Sequence, residues 1–553
     1  MFSGQCFGEA AFSEQANSSP DSDAFQAFLS EVTSERCWLL EVDALSLASV
    51  GALSAAFSDS AFGEVGFSEG APSFAGGLTT LRFSTHGYST HATDNPSRAW
   101  YEGRLSEKPV VDRRITSSSQ IGGLSTVFAE AQLINADGAL DTLTSNYALD
   151  GRPARILFGR ATDALSSFGF YATGVVSAVV IGIDALQIKL SDGQAKLANP
   201  ANTTTYLGTG GLEGGADLKG KYKPKGYGHV FGISPPCVDT LNLIYQVNDG
   251  AISDVPQVYD RGVLLTKVAG APAPGEYQVT AATGTFKLGA TPAGTITCNA
   301  LLDAGLTGYI DRTSDIVLRM LVQQAGLITA EIEPASFSQL TADAPAEVGS
   351  WAGIEGRTVA DMVDELLANV GAFGGFNRQG AFSVAVLSAA SGAPKAALTE
   401  EDIIDIKREP LPALVDPIAW RVSVGYQKNY TVQSDLASTV PIAQTMFASQ
   451  PVRTSTSEDL AIKSRHLLAK ELTDATGLFA QSADAVTETL RRFALWGSDR
   501  KLFRVKTRPT ALTRDAGQVV SLQHRRHGLA LGVSGRVIGH RVQGSEVELM
   551  VLV

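Results

Sequence analysis

The sequence predicts a mainly β protein with α+β modules: two β-barrels, an inserted small β module and an α/β module. Its 553 residues include 55 glycines and 22 prolines, and short apolar stretches between turn residues favour strands and loops over a helical bundle. The clearest alternation of apolar and polar side chains, at residues 418–426, predicts a half-buried strand. At about 150 residues per domain, the length predicts roughly four domains.

Composition excludes several classes of protein. With 44% hydrophobic and 18% charged residues, the chain is not a disordered acidic protein, and no stretch approaches the ~18 apolar residues of a spanning helix. The first residues carry neither a basic nor an apolar signal region, so we expect synthesis in a cytoplasm without secretion. The four cysteines are widely scattered, which predicts ordinary thiols: Cys6, Cys37, Cys237 and Cys298.

Charge is distributed unevenly within a net charge of −13. Through residue 77, eleven acids are opposed by Arg36, a net charge of −10, whereas residues 491–541 hold twelve bases and two acids, a net charge of +10. The basic segment could bind nucleic acid or an acidic partner; the alternative is a solvated face or ion pairs between subunits. We favour the alternative, and expect intersubunit or partner contacts, because few aromatic residues interleave the basic ones.

A Phe-rich pattern occurs twice near the start of the chain. Residues 2–14 and 57–69 share Phe-Ser-x-x-x-Phe-Gly-Glu-x-x-Phe-Ser-Glu. A spacing of five fits neither one helix face nor one strand face, and two copies are too few for a solenoid. We interpret them as Phe-anchored loops that dock on another surface, with a local packing loop as the alternative.

The first 200 residues have the pattern of a barrel or sandwich. Residues 37–43 and 81–84 are predicted to be paired strands, so the Ala/Ser/Gly-rich stretch between them is an insertion in a sheet. From residue 121 to 197, short strands alternate with turns at residues 136–138 and 149–153.

A small β module is predicted next. Residues 206–225, rich in Gly and Lys, form a boundary or a clamp loop. Hairpin signals occur at residues 248–250 and 260–262. The predicted strands are residues 277–279, 285–288 and 295–298.

Helix signals first appear after residue 310. Ser314 is predicted to cap a helix ending near Gly326, and Thr358 with Asp361 forms a capping box for a helix ending at Gly371. A strand at residues 382–386 follows, which predicts an α/β module. Two further helices are predicted at residues 458–473 and 483–496, followed by strands at residues 519–522, 535–538 and 547–553.

The predicted organisation follows these changes in pattern. Its segments are an N-terminal Phe-rich arm (1–35), a first barrel (36–200) with a loop insertion at about 49–78, the small β module (201–310), the α/β module (311–404) and a second barrel (405–553) with a helical insertion at about 457–497.

Motifs for catalysis and phosphate binding are weak. No Gly-x-Ser-x-Gly elbow occurs, and residues 532–535 have the wrong spacing for one. Gly215-x-x-x-x-Gly220-Lys221 resembles a phosphate-binding loop, but Tyr222 stands where a Ser or Thr is required. We interpret the match as chance in a Gly-rich segment.

Metal and acid/base sites are similarly unsupported. His86 with His91 and His524 with His527 lack a third ligand, and Arg525 and Arg526 would repel a metal at the second pair. The acids at residues 400–402, namely Glu400, Glu401 and Asp402, could act in a cell-wall lyase or glycosidase, but are read more simply as a charged turn before a strand. We predict no catalytic, cofactor-binding or metal site.

Several strings in this order resemble the baseplate hub proteins of long-tailed bacteriophages, especially siphophages, and of related gene-transfer particles. The likeness extends over most of the chain from Trp38 onward. The strings are residues 38–44, 81–88, 100–105, 137–141, 219–228, 258–262 and 424–433.

The resemblance implies two hub-type β-barrels and a structural, non-enzymatic role. Such hubs are homotrimers whose six barrels form a ring between the tail tube with its distal-tail ring and the trimeric tip. It also implies contacts with tape-measure proteins and with tip or central-fibre proteins. DNA would be present only in transit through the lumen, and no stable membrane association is implied. The protein would be assembled in the host cytoplasm and located at the tail tip of the virion. Some related hubs hold an iron–sulfur cluster on four cysteines; the dispersed cysteines here predict none.

Two other functions remain open from the sequence. A tail-tip peptidoglycan hydrolase would depend on a carboxylate such as Glu401, and zymography would detect its activity. A receptor- or carbohydrate-binding tail protein would need an exposed aromatic platform, and would bind host cells in isolation.

Overall fold

The protein is represented by a computed structural model, which describes residues 23–31, 35–47, 77–106, 109–115, 122–125, 127–305 and 308–553. Both Phe-rich repeats and Cys6 lie outside these ranges. Strands far outnumber helical segments, so the prediction of a mainly β fold with helical modules is confirmed.

The strands are β1 (Arg36–Ser46), β2 (Leu78–Ser84), β3 (Tyr88–Ser89), β4 (Trp100–Gly103), β5 (Val110–Arg114), β6 (Gly123–Leu124), β7 (Val127–Ile134), β8 (Tyr147–Ala148), β9 (Pro153–Arg160), β10 (Gly169–Ile181), β11 (Ala185–Ser191), β12 (Lys225–Ile233), β13 (Cys237–Asp239), β14 (Ile244–Gln246), β15 (Asp254–Asp260), β16 (Val263–Leu264), β17 (Thr266–Lys267), β18 (Glu276–Thr280), β19 (Thr285–Leu288), β20 (Ile296–Leu302), β21 (Gly349–Ala352), β22 (Ala372–Phe376), β23 (Phe382–Val386), β24 (Ala396–Leu398), β25 (Ile403–Glu409), β26 (Ala419–Tyr426), β27 (Arg453–Glu458), β28 (Lys470–Phe479), β29 (Leu502–Thr507), β30 (Val519–His524), β31 (Leu529–Gln543) and β32 (Glu546–Leu552). The α-helices are α1 (Asp23–Ser30), α2 (Leu143–Asn146), α3 (Thr313–Gln323), α4 (Pro334–Asp343), α5 (Val359–Asn369), α6 (Ile442–Ala448), α7 (Leu460–Arg465) and α8 (Ser482–Trp496).

One large sheet joins the two halves of the chain. β1 pairs with β2 as predicted, with Leu40 opposite Phe83. The sheet runs from β25 through β29, β32 and β31 to β5, and onward to β3. Among the described strands this path is open, so the two separate barrels of the prediction are not seen; the long strand β31 pairs with β5 and merges their strands.

Two five-stranded sheets form the small β module around one core. One has the order β16-β15-β20-β12-β21 and the other β13-β14-β19-β18-β17. The predicted hairpin at residues 260–262 is confirmed, because Arg261 and Gly262 adopt positive φ between the paired strands β15 and β16. The hairpin predicted at residues 248–250 is wrong: these residues connect β14 and β15, which belong to different sheets.

Two three-stranded sheets and four helices share the remaining large core. The sheets have the orders β23-β22-β6 and β27-β26-β28, and α3, α4, α5 and α8 supply buried side chains to the core. The capping box of Thr358 and Asp361 is confirmed at the start of α5. Ser314 is not a cap: α3 begins one residue earlier, and the Ser314 hydroxyl hydrogen-bonds to Thr341.

Two predictions for the C-terminal half are wrong. The helix predicted at residues 458–473 is limited to α7, and Lys470 begins strand β28, which pairs parallel with β26. The strand predicted as half-buried, β26, is largely buried along its whole length: β27 and β28 pair with its two edges, and α8 packs against it. The second helix is confirmed as α8.

Candidate functional site

A buried carboxylate organises the first strings of the resemblance. Glu41 on β1 is 1% exposed, accepts hydrogen bonds from the Tyr101 hydroxyl and from Arg155, and lies 3.9 Å from Nε of Arg82. Burial and the neighbouring Glu41 charge raise the pKa of Tyr101, so the hydroxyl stays protonated and donates. Residues 38–44, 81–88 and 100–105 therefore meet at one internal ion cluster.

A second joint holds the small β module to the C-terminal half. Asn429 donates to the carbonyls of Phe447 and Ala448, at 3.3 and 3.0 Å, and forms a bridge with Phe231 of β12. The Tyr430 hydroxyl accepts from the Trp351 backbone N–H at 3.1 Å. The string at residues 424–433 is thus a structural connection between modules.

A third joint lies where β5 meets β31. Arg113 and His540 are directly opposite in register and both are buried. Arg113 lies 3.6 Å from Asp515, and Arg378 lies 4.0 Å from the same carboxylate. Burial lowers the pKa of His540 to about 4, because a protonated imidazole would be desolvated close to these cations. His540 is therefore neutral at neutral pH.

An open cleft of about 600 Å³ runs along strand β28. One wall is residues 470–476 of β28; the facing wall includes Leu387, Leu414, Leu495 and Trp496. β26 pairs with one edge of β28, and among the described strands none pairs with the other edge along residues 470–476. This β28 cleft therefore combines a partly apolar lining with an open strand edge.

Charges at the floor of the cleft are mutually satisfied. Arg492 pairs with Asp474 at 2.5 Å and with Glu488 at 2.5 Å, and Glu488 also pairs with Arg491 at 2.6 Å. Burial alone would raise the pKa of Asp474, but the Arg492 charge and hydrogen bonds from Thr476 lower it overall. These ion pairs stabilise the floor and do not resemble an acid/base pair awaiting a substrate.

A basic, leucine-rich segment, made of α7 and the four residues after it, directly precedes the strand that lines the cleft. This leucine tip, residues 460–469, includes Leu467 at 90% and Leu468 at 82% exposure. It carries Lys463, Arg465 and His466 and no acid. Lys463 lies over the Trp420 ring at 3.8 Å, which fixes the base of the tip. Directly after it, Lys470 donates to the carbonyls of Ala413 and Asp416 and lines the cleft.

The Gly-rich loop at residues 208–221 is not arranged as a phosphate cradle. It folds on itself through backbone hydrogen bonds from Gly208 to Glu213 and from Tyr206 to Lys221. The next regular element is strand β12, whereas a phosphate cradle requires a helix after Lys221. Lys223 pairs with Glu213 at 2.6 Å, so this segment is a structural loop.

The histidine pairs and the acidic turn have structural contacts. His91 is hydrogen-bonded to Asp94 through its backbone N–H, and His524 accepts from the Arg526 backbone N–H. Glu400 pairs with Arg525 at 3.0 Å, and Asp402 accepts from Thr399 just before β25. Ser534 lies within strand β31, opposite Ser521 of β30. None of these candidates meets a partner suited to nucleophilic or acid/base chemistry within the described ranges.

The described residues also lack the groupings typical of metal sites and membrane spans. No group of three or more His, Cys, Asp or Glu side chains in the described part could hold a metal ion. Cys37, Cys237 and Cys298 are free thiols. None of the described helices is long and apolar enough to cross a membrane.

The basic segment at residues 491–541 is partly neutralised within the chain. Arg504 pairs with Glu409, and Lys506 pairs with Glu546 at 2.8 Å. Arg536 donates to the carbonyls of Ser388 and Gly517 at 2.8 and 2.6 Å. Much of the +10 charge is therefore used in internal contacts, whereas the tip, which precedes this segment, is free of acids.

Sequence reasoning missed the β28 cleft and the leucine tip. The sequence predicts one helix over residues 458–473, whereas the structure has the short helix α7, an exposed turn and the start of β28 there. The signal for a tip was the Leu467–Leu468 pair directly after Arg465 and His466, which would expose leucines in a loop. A charged Glu41 inside an apolar strand was the corresponding signal for a buried ion cluster.

No family model and no curated protein match the sequence. Among solved structures, the fold is similar to a tail protein from Neisseria meningitidis MC58, with 10% identity over 82% of this chain and 93% of that one, at a TM-score of 0.39. It is also similar to the 43 kDa tail protein of prophage MuSo2 from Shewanella oneidensis (10%, 83% and 96%, 0.38). A chain in the virion of a native gene transfer agent particle is a further likeness (14%, 65% and 92%, 0.40). Likenesses of this degree do not identify a function.

Proposed function

We propose that this chain is a structural, non-enzymatic protein of a phage-type tail: the baseplate hub, whose ring joins the tail tube and distal-tail ring to the trimeric tip. In this role it is a homotrimer and forms part of the DNA exit channel of the virion. Tape-measure and tip or central-fibre proteins are its other neighbours.

The arrangement of the hub-like strings carries the proposal. Residues 38–44, 81–88 and 100–105 meet at the Glu41 cluster, and Arg104 of the third string donates to Asp137 of the next at 2.8 Å. Residues 424–433 connect the small β module with α5, through Gln433 to Thr297 at 3.1 Å and Lys428 to Glu365 at 2.5 Å. The strings therefore belong to internal joints, as a load-transmitting ring subunit requires.

Joints of this kind give one stiff body. Strands joined by a buried, hydrogen-bonded ion cluster resist being moved apart, because separating the charged partners leaves a desolvated charge without its counter-ion. A subunit that holds a channel shut and then rearranges as a unit needs such internal stiffness, with its variable contacts placed at the surface.

The mass of the purified chain in solution tests the proposal. We expect light scattering to give three times 58.1 kDa, either alone or after mixing with neighbouring tail proteins, and we expect antibody labelling at the tail tip of intact particles. A chain that stays monomeric with every tail protein and is absent from particles would overturn the proposal.

A further inference from the structure

The β28 cleft and the leucine tip form one continuous surface. Lys470 connects them: it directly follows the tip in sequence and lines the cleft, as does the exposed Leu414. Leu460, Leu467 and Leu468 place three exposed leucines on the tip. Exposed apolar groups in such a concentration are typical of binding surfaces, and an open strand edge offers backbone donors and acceptors to an extended peptide.

The chain contains a segment of complementary chemistry. Residues 1–22 lie outside the described part, hold Phe2, Phe7 and Phe12, and carry three acids and no Lys, Arg or His. The tip carries Lys463, Arg465 and His466 and no acid. Phenylalanine rings would cover the exposed leucines, while carboxylates would approach cations at the rim.

We infer that residues 1–22 of a second copy of the chain dock along the leucine tip and the β28 cleft. The inference rests on the proposed function in one respect, that copies of the chain lie side by side. The segment is tethered at α1, where Phe25 and Phe28 are buried in the core of the large sheet. The arm would thus be anchored on its own subunit and bound to the next, which closes a ring by repeated head-to-tail contacts.

Photo-cross-linking in the full chain tests the contact directly. Phe7 is replaced by p-benzoyl-phenylalanine, and ¹⁴N-labelled and ¹⁵N-labelled chains are mixed before irradiation. We expect cross-links from position 7 of one isotope to residues 460–476 of the other. Cross-links confined to one chain, or mapping elsewhere, would overturn the inference.

Variants of exposed tip residues test the chemistry of the contact. Leu467→Ser with Leu468→Ser, and separately Arg465→Glu, should each lower the cross-link yield at least about fivefold. The matched control is Leu531→Ser, because Leu531 is 99% exposed and lies on strand β31, outside the tip and the cleft. An equal yield in the control and the tip variants would overturn the role of the tip.

A fluorescein-labelled peptide of residues 1–22, titrated onto the full chain, separates this inference from the proposed function. We expect saturable binding that both tip variants weaken about tenfold and that added salt weakens further. A chain that forms rings with tail proteins but does not bind the peptide would overturn the docking inference alone. A chain that binds the peptide yet stays monomeric would overturn the second copy as the source.

Discussion

The Glu41 cluster and the leucine tip use cationic side chains in opposite ways. Around Glu41, Arg82 and Arg155 stand beside one carboxylate inside the sheet, and all three are shielded from water to a large extent. At the tip, Lys463 and Arg465 stand beside exposed leucines, with no acid between residues 460 and 469. The buried cations around Glu41 are thus neutralised within the chain, whereas the charge of the tip is left for the docked segment inferred above.

The largest expected effect comes from removing the buried carboxylate. Glu41→Ala leaves Arg155 buried without its partner, and we expect a loss of about 3–5 kcal/mol in the free energy of unfolding. Urea denaturation followed by near-ultraviolet circular dichroism measures it. The control, Glu471→Ala, removes an exposed acid and should change stability little. An equal effect of both substitutions would mean that the burial of Glu41 contributes no special stability.

The stability of the β5–β31 pair should fall as the pH is lowered. Because burial lowers the pKa of His540 from 6.5 to about 4, the unfolded chain takes up a proton that the folded chain excludes. Stability contributed by His540 is present above pH 6.5 and is lost as the pH falls towards 4, by on the order of 3 kcal/mol. Hydrogen exchange of β5 and β31 measures this loss. In His540→Gln, the part of the pH dependence due to His540 should disappear.

Substitutions at two glycines of the string at residues 219–228 distinguish the cost of backbone strain from the cost of a steric clash. Gly220 and Gly228 both have positive φ, but a Cβ at Gly228 would lie 2.0 Å from the Val348 carbonyl oxygen, whereas nothing lies within 4 Å at Gly220. Gly220→Ala should cost about 1–2 kcal/mol for its backbone conformation. Gly228→Ala should cost more, because β12 and β21 must move apart. Thermal unfolding of both variants gives the comparison, and equal costs would contradict it.

The smallest effect on stability is expected at the tip itself. Leu467→Ser with Leu468→Ser should change the free energy of unfolding by no more than about 0.5 kcal/mol, because both side chains are exposed in the chain alone. The urea midpoint measures it. A large destabilisation would mean that the leucines pack within their own subunit and would remove the contrast with Glu41.

Elements specified by local sequence were predictable, and elements specified by distant pairing were not. The β1–β2 pair and the capping box of α5 follow from strand and cap patterns within a few residues. Helix α4 was missed, although Pro334 at its first turn is a typical helix start. The predicted helix wrongly includes residues 470–473 of β28, because the parallel pairing of β28 with β26 involves no local signal. The burial of β26 involves packing against α8, more than fifty residues away in sequence.

The candidate surface was less predictable than the fold for the same reason. Glu41 and Tyr101 lie within strings singled out from the sequence, but Arg155 was not singled out. The β28 cleft needs α8, β28 and residues 413–415 to converge, and no spacing in the sequence predicts that. The two oppositely charged ends were visible at once, yet much of the basic charge proved to be used internally.

The pairing of β5 with β31 has a consequence during synthesis. Residues 110–114 leave the ribosome long before residues 539–543, their partners on one side. At elongation rates of about 5–20 residues per second, roughly 20 to 80 seconds separate the two strands. During that interval one edge of β5 lacks its partner strand and can pair with nascent chains on neighbouring ribosomes. Completion of the large sheet therefore competes with aggregation of incompletely synthesised chains. Shortening the delay by circular permutation should raise the soluble yield.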